Sequence, residues 1–355
     1  MSGSHLRRFA ALSFAAALAV ATSSCGSKKA TLYIYNWCDY LSPEVKAAFE
    51  EKYNCRIVED IFDSNEMLEA KLKAGASDYD IVVPSTYAAC KMYEQGMLQK
   101  LDASRIPNLK NLDPEVVAKL PEGALDYCVP YTMSHTGIAY LKSKIPDFEA
   151  SWAMFEREDL TKRFSLLNDS RETIGAALRY LGYAANSSDP AELEAAAKKA
   201  LEWKANAAKF DNEQYKQGIA SGEFYFVHGY VGDLLQVQED NDDIEITFPK
   251  EGTLLSIDTL AIPAGARNVD LAYAFIDFVN LPENAALNTE EILYLCPNTP
   301  SYELLSEDIR NNKAIFLDPE TFARCELICD LGESQALYNH VWETIKGKDA
   351  LDEEE

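Results

Sequence analysis

The chain has 355 residues, 47% of them hydrophobic, which is enough to bury a large core and to form two domains. It carries 33 Lys and Arg against 58 Asp and Glu, a formal net charge of −25. A negative charge of this size repels nucleic acid and anionic lipid and attracts cations, which argues against a nucleic-acid partner. Taken alone, the charge is also typical of many soluble proteins.

The N-terminus has the pattern of an export signal. Two arginines form a basic start, residues 9–21 are almost wholly apolar but short for a membrane span, and small residues lead to Cys25. The pattern predicts a lipoprotein signal over residues 1–25, in which Cys25 is acylated, followed by a polar tether over 26–30. The protein would then be exported to the periplasm and anchored to a bacterial membrane. Thr22 replaces the usual Leu, so an ordinary cleaved signal with an incidental Cys is the alternative.

Strands and helices alternate in the first third of the mature chain. Strands are predicted over residues 31–36, 55–61 and 79–84, and helices over about 42–52, 64–75 and 86–96. This alternation is typical of a parallel α/β sheet, which binds ligands beyond the carboxyl ends of its strands. Those ends are residues 36–40 and 85–87, and both segments are rich in aromatic and hydrogen-bonding side chains.

A second α/β unit begins after about residue 135. Strands are predicted over 164–168, 224–227, 244–248 and 255–262, and helices over 171–180, 190–210 and 269–280, before a largely helical C-terminus. The strand at 255–262 would return the chain to the first unit. Two α/β lobes joined by crossing strands, without a flexible linker, predict a hinged cleft.

The eight cysteines do not form a metal-binding pattern. If Cys25 is acylated, seven cysteines remain, and an odd number cannot all pair. Some of them could still form disulfide bonds, since the protein is predicted to be exported. Cys90 and Cys128 lie in apolar segments that suit a core position. No pair or cluster has zinc-ligand spacing, so no metal is expected.

Motifs from both lobes together resemble one family. They are Tyr33–Tyr40, Ser64–Glu66, Lys71–Lys73, Tyr79–Tyr87, Leu101–Asp102, Asn111–Pro114, Asp169–Glu172, Leu181–Tyr183, Asp189–Pro190, Phe248–Gly252 and Asp258–Pro263. In this order and spacing, they resemble the bacterial spermidine/putrescine-binding receptors of polyamine ABC importers. The resemblance covers essentially all of residues 31–348.

The resemblance implies a two-lobed α/β fold of the periplasmic-binding-protein class (type II). Each lobe would be a mainly parallel sheet flanked by helices, with the ligand cleft between the lobes. Lobe one would comprise residues 31–134 and 257–302, and lobe two residues 135–256 and 303–348. Residues 349–355 would form an acidic tail.

The resemblance also implies the ligand contacts, which combine acids for ammonium groups with aromatic walls for methylene runs. The matching positions are Trp37, Asp39, Tyr40, Ser85, Tyr87, Asp169, Glu172, Tyr230, Asp258 and Tyr294. Asp258 is the strongest of these from the residues alone, because an acid inside an apolar strand is costly unless it is paired. Asp169 and Glu172, in contrast, have an alternative role as helix-capping acids.

Four positions depart from the family pattern and leave the preferred amine open. Cys38 replaces a hydroxyl residue, Tyr230 stands where Trp is usual, Ser256 replaces an aromatic wall, and Ile328 replaces a polar amide.

The implied function is a monomeric receptor that delivers putrescine or spermidine to ABC-importer permease subunits, with no cofactor and no catalysis. A receptor of the same fold for another organic cation, such as a basic amino acid, is the first alternative. A surface adhesin or sensor that has kept the fold but lost transport is a second. A hydrolase using Asp169 with Glu172, or Asp39 with Asp258, is a third, but no other catalytic motif supports it.

Overall fold

A computed structural model of the protein describes residues 29–75 and 78–347. The predicted signal region with Cys25 lies outside these residues, as do most of the predicted tether and the acidic tail over 349–355.

Ten strands form two sheets within the described residues. They are β1 (Ala30–Asn36), β2 (Cys55–Ile61), β3 (Ile81–Val82), β4 (Val129–Leu141), β5 (Phe164–Leu166), β6 (Lys209–Phe210), β7 (Phe226–Tyr230), β8 (Ile244–Thr247), β9 (Leu254–Leu260) and β10 (Glu326–Leu327). The first sheet is parallel throughout, in the order β2-β1-β3. The second has the order β10-β9-β4-β7-β5-β6, with β8 beside β4; its β7-β5-β6 part is parallel and β4 is antiparallel to its three neighbours.

Helices connect and cover these strands. Those in the described part of the chain are α1 (Pro43–Tyr53), α2 (Asn65–Lys73), α3 (Thr86–Glu94), α4 (Pro114–Val117), α5 (Ser170–Tyr180), α6 (Pro190–Asn206), α7 (Tyr215–Ser221), α8 (Val231–Glu239), α9 (Val269–Val279), α10 (Pro282–Ile292), α11 (Glu307–Asn311), α12 (Pro319–Arg324) and α13 (Gln335–Gly347). Ser42, Asp169 and Asp189 each accept a hydrogen bond from a backbone N–H in the first turn of the helix that follows. These caps satisfy backbone donors that have no partner within the helix.

The two largest clusters of buried hydrophobic residues lie in different lobes. In the first lobe, α1 and α9 pack on the parallel sheet, and Phe49 and Phe275 meet edge to face. In the second, Trp152, Phe155 and Trp203 pack together beneath α5, α6 and α13. Aromatic clusters of this kind bury large areas, and each core can stabilise its own lobe.

Strand β4 belongs to both lobes. Over Val129–His135 it pairs with β9, and from Thr136 to Tyr140 it pairs with β7. Nearly all of its 13 residues are buried. Together with β9, it forms the crossing strands between the two lobes.

Most predicted elements are confirmed, and the differences are local. The predicted helices at 42–52, 171–180 and 269–280 correspond to α1, α5 and α9. The helix predicted to run from 190 to 210 ends at Asn206, because the following residues enter the sheet as β6. Strand β4 is not predicted from the sequence, since its alternation of polar and apolar residues contains Pro130 and lacks the β-branched run of a typical buried strand.

Three further features of the described residues concern disulfide bonds, metal sites and membrane-spanning helices. The described cysteines are all free thiols, with Cys128 fully buried and Cys90 half-buried. Across residues 29–75 and 78–347, no cluster of three or more His, Cys, Asp and Glu side chains is arranged to hold a metal ion. No helix in these ranges combines the length and apolar character needed to span a bilayer.

Asp80 is predicted to be a main stabiliser of the first lobe. Its fully buried carboxylate accepts hydrogen bonds from the backbone N–H groups of Tyr33, Arg267 and Asn268, which joins β1 to the segment before α9. Asp80→Ala would leave these donors unsatisfied, and we expect a loss of about 3 kcal/mol in the free energy of unfolding, measured by urea titration.

Asp78→Ala is the matched control. Asp78 forms an ion pair with Arg267, but its side chain is 70% exposed, so its loss should cost less than about 1 kcal/mol. Equal effects of the two substitutions would contradict the role assigned to Asp80.

Candidate functional site

A cleft at the junction of the lobes encloses about 760 Å³ of space, part of it open to solvent. Segments from both lobes contribute to its walls. The lining residues are Trp37, Cys38, Tyr40, Phe62, Asp63, Asn65, Ser85, Tyr87, Ser134, Asp169, Arg171, Glu172, Asn212, Glu213, Lys216, Tyr230, Asp233, Ser256, Asp258, Tyr294 and Ile328. The predicted carboxyl ends of the strands, at 36–40 and 85–87, therefore do lie at the cleft.

Asp258 projects from the crossing strand β9 and is almost completely buried. Its carboxylate accepts hydrogen bonds from the Tyr40 hydroxyl at 2.8 Å and the Ser85 hydroxyl at 2.6 Å. Burial raises the pKa of Asp258 to about 6, although both of these hydrogen bonds oppose the shift. Two hydroxyl donors without a cation leave this carboxylate only partly compensated.

Asp169 and Glu172 form a second acidic group at the start of α5. Asp169 is the N-cap, and its side chain accepts hydrogen bonds from the backbone N–H groups of Arg171 and Glu172 and from the Tyr230 hydroxyl at 3.1 Å. Glu172 accepts a hydrogen bond from Thr136 of β4 at 2.8 Å. The capping role considered from the sequence is therefore real for Asp169, but both carboxyl groups also line the cleft.

The surroundings of Glu172 favour its protonated form. Burial, followed by the charge of Asp169, raises the pKa of Glu172 to about 8. Without a cation beside it, Glu172 is therefore mostly protonated at neutral pH. A positive charge beside it would favour its ionised form.

Aromatic rings provide the apolar walls. Trp37 packs against Phe62, with the ring centres 4.4 Å apart, and Tyr40 packs against Tyr294 at 5.0 Å. The Tyr87 hydroxyl accepts a hydrogen bond from Asn65. These rings suit the methylene segments of a flexible ligand and attract cationic groups.

Two basic side chains line the cleft, Arg171 and Lys216. The Arg171 guanidinium bonds to the Cys329 carbonyl and to Asn186, and it lies near the Tyr87 ring. Lys216 forms ion pairs with Glu213 and Asp233. No described Lys, Arg or His forms an ion pair with the acids at positions 169, 172 and 258, so no cation of the protein competes with a ligand for them.

The structure brings together nine of the ten predicted site residues. Trp37, Tyr40, Ser85, Tyr87, Asp169, Glu172, Tyr230, Asp258 and Tyr294 line the cleft. Asp39 does not: it is exposed, in a turn where its backbone φ is 53°. All four departures from the family pattern lie in the lining: Cys38, Tyr230, Ser256 and Ile328.

A further acidic group, formed by Glu213 and Asp233 together with Lys216, is not predicted from the sequence. A signal for Glu213 is present, because this residue follows β6, and the carboxyl ends of the parallel strands β5, β6 and β7 share one edge. Asp233 lies in the first turn of α8, three residues after the predicted Tyr230.

Comparison with known proteins finds relatives along nearly the whole chain. The family of bacterial extracellular solute-binding proteins matches residues 44–316. A spermidine/putrescine-binding periplasmic protein of Salmonella typhimurium is 35% identical over 337 residues, covering 94% of this chain and 96% of the relative. A putrescine/cadaverine-binding protein of Pseudomonas aeruginosa is 33% identical over 347 residues, covering 93% and 98%. The crystal structure of the TpPotD lipoprotein of Treponema pallidum has a TM-score of 0.81 at 33% identity, covering 89% of this chain and 99% of that chain.

In the absence of ligand, Glu172 should make the protein less stable as the pH rises. A carboxyl group whose pKa is about 8 when folded and 4.5 ordinarily binds more protons in the folded chain, so stability falls as the pH rises between these values. We expect Glu172→Gln to stabilise the ligand-free protein by about 2 kcal/mol more at pH 8 than at pH 5.

Unfolding in urea at the two pH values measures this difference. Glu122→Gln, which changes an exposed side chain, serves as the control and should leave the difference between the two pH values unchanged. Parallel pH profiles for the wild type and Glu172→Gln would show that Glu172 is not perturbed.

Proposed function

The chain belongs to the bacterial extracellular solute-binding proteins, and we propose that it is a receptor for polyamines of the putrescine and spermidine class. The polyamine would bind between the lobes and be delivered to the permease subunits of an ABC importer. Binding would involve neither a cofactor nor turnover of the ligand.

The observation that supports this proposal most strongly is the burial of Asp258 without a positively charged partner. It is buried between the lobes, yet the side chains that bond to it are the neutral hydroxyls of Tyr40 and Ser85. A buried carboxylate is costly unless a positive charge or strong donors compensate it. A ligand ammonium would supply that charge.

A polyamine also fits the remainder of the cleft. Its ammonium groups would face Asp258 at one position and Asp169 with Glu172 at another, while its methylenes would lie along the aromatic walls. We assign the contacts to the nine predicted residues in the lining. Asp39 would act only at longer range, through its effect on neighbouring charges.

Closure of the lobes would couple binding to transport. The proposed lobe boundaries near residues 134 and 256 fall on β4 and β9, the strands that cross between the lobes. A ligand held by both lobes binds the closed form more tightly than the open form, and so stabilises it. The closed receptor would then be the form that docks on the permease.

We also propose that Cys25 is acylated and anchors a monomeric receptor to a bacterial membrane. The support is the signal-like sequence before Cys25 and the relative in Treponema pallidum, which is a lipoprotein. Mass spectrometry of the protein from membranes would show a diacylglyceryl adduct on Cys25. A mature N-terminus at another residue, without a lipid, would support the alternative of an ordinary cleaved signal peptide.

Calorimetric titration tests the class of ligand. The purified protein is unfolded and refolded to remove any ligand that co-purifies, then titrated with putrescine, cadaverine, spermidine, spermine, lysine and arginine. Micromolar or tighter binding of a polyamine supports the proposal. Binding of lysine or arginine alone would support the alternative of a receptor for basic amino acids. Turnover of any ligand would support the alternative of a hydrolase.

Asp258→Asn should weaken polyamine binding more than about tenfold, because it removes one buried charge pair while keeping the shape of the side chain. The same titration measures the change in Kd. Asp126→Asn is the control: this carboxylate is on the same lobe, is 59% exposed and pairs with Lys100, so its loss should change Kd less than about threefold. If Asp258→Asn binds polyamine with unchanged affinity, Asp258 does not contact the ligand.

A further inference from the structure

One end of the cleft already contains a positive charge. Asp233 accepts hydrogen bonds from the hydroxyls of Tyr215 at 2.7 Å and Tyr294 at 3.1 Å. The Lys216 ammonium lies 3.7 Å from a carboxylate oxygen of Asp233 and 3.7 Å from one of Glu213. We call this group, formed by Glu213, Lys216 and Asp233, the Asp233 end of the cleft.

The Asp233 end shares one arrangement with the other two acidic positions and differs from them in having a lysine beside it. Each position has a buried or largely buried carboxylate bonded to tyrosine: Asp258 to Tyr40, Asp169 to Tyr230, and Asp233 to Tyr294. Tyrosine rings also link the positions at Asp258 and Asp233, since the ring centres of Tyr40 and Tyr294 are 5.0 Å apart. The cleft thus has three comparable acidic positions, and among the described residues only the Asp233 end is paired with a cation of the protein.

Lys216 is held in this position and stays charged. Its side chain is 18% exposed, and that of Asp233 is 15% exposed. Burial alone would lower the pKa of Lys216, but Asp233, Glu213 and Asp39 outweigh it and raise the pKa. A ligand ammonium that approached the Asp233 end would meet a like charge.

We propose that Lys216 is a built-in ammonium group that limits the ligand to two ammonium groups, so that the cleft favours a diamine over a triamine. The inference rests on the proposed function, because it concerns selection among polyamines. A diamine such as putrescine or cadaverine would use the positions at Asp258 and at Asp169 with Glu172. The third ammonium of spermidine would find no buried carboxylate free of a protein cation, because the remaining acid of the lining, Asp63, is exposed.

The competing hypothesis is that Lys216 binds the carboxylate of an amino-acid ligand. The geometry disfavours it, because the Lys216 ammonium already lies 3.7 Å from a carboxylate oxygen of Glu213 and of Asp233. A ligand carboxylate that approached Lys216 would have to lie beside both of these like-charged groups. Titration with lysine and ornithine would detect such binding directly.

The test compares the Kd values of putrescine, cadaverine and spermidine for the wild type and Lys216→Met. Methionine keeps the length and apolar stem of the side chain but removes the charge, which frees Asp233 and Glu213. We expect the wild type to bind at least one diamine more tightly than spermidine. In Lys216→Met, the affinity for spermidine relative to putrescine should rise at least about tenfold.

Two further variants control the result. Lys142→Met removes a half-exposed lysine of the second lobe that pairs with Glu245 outside the cleft, and should leave the ratio of the two affinities unchanged. In Lys216→Met with Asp233→Asn, the gain for spermidine should shrink, because the freed carboxylate is lost.

The outcomes separate this inference from the function on which it rests. Spermidine binding more tightly than both diamines in the wild type would overturn the role of Lys216, and this measurement does not depend on any variant. A ratio that stays within about twofold in folded Lys216→Met, checked by thermal unfolding, would overturn it as well. Absence of polyamine binding in the wild type would instead overturn the proposed function.

Discussion

The antiparallel pairing of β4 with β9 is the constraint on which the rest of the site depends. It carries Asp258 into the interior at the junction of the lobes, where a loop would leave it in solvent. Because side chains alternate along a strand, Ser256 and Asp258 share the face on the cleft, while Ile257 packs into the core. On β4, the same alternation places Ser134 in the cleft lining, and the Thr136 hydroxyl donates a hydrogen bond to Glu172. One pair of strands therefore builds the floor of the cleft and joins the two lobes.

Within the cleft, hydroxyl groups rather than cations of the protein compensate Glu172 and Asp258. A hydroxyl donor stabilises a carboxylate only in part, as the raised pKa values of Asp258 and Glu172 indicate. An internal ion pair at these positions would have to be broken before a cationic ligand could bind. The hydroxyl groups avoid this competition, at the cost of stability in the empty protein. Lys216 is the exception, and for that reason it is informative about the ligand.

The parts of the fold that depend on local chemistry could be predicted, and those that depend on distant pairing could not. Helix starts such as Ser42–Pro43 and Asp189–Pro190 are set by neighbouring residues, and the structure confirms them. Asp258 could be identified because an acid within an apolar strand destabilises the fold unless a partner or a ligand compensates its charge. The contact of Lys216 with Asp233 joins two helices, α7 and α8, and no local pattern indicates it. Asp39 remains a prediction that the lining of the cleft does not support, because a turn exposes its side chain.

Under the proposed function, recognition of charge and selection among amines are carried by different residues. Polyamines share ammonium groups and differ in their number and spacing, so the acids at Asp169, Glu172 and Asp258 recognise the class without distinguishing its members. The departures from the family pattern leave these acids intact and change the walls, where Ser256 and Ile328 replace larger or more polar groups. The number of ammonium groups accepted is then set by how many acidic positions are free. A substitution at the Asp233 end can alter that number without touching the carboxylates that define the class.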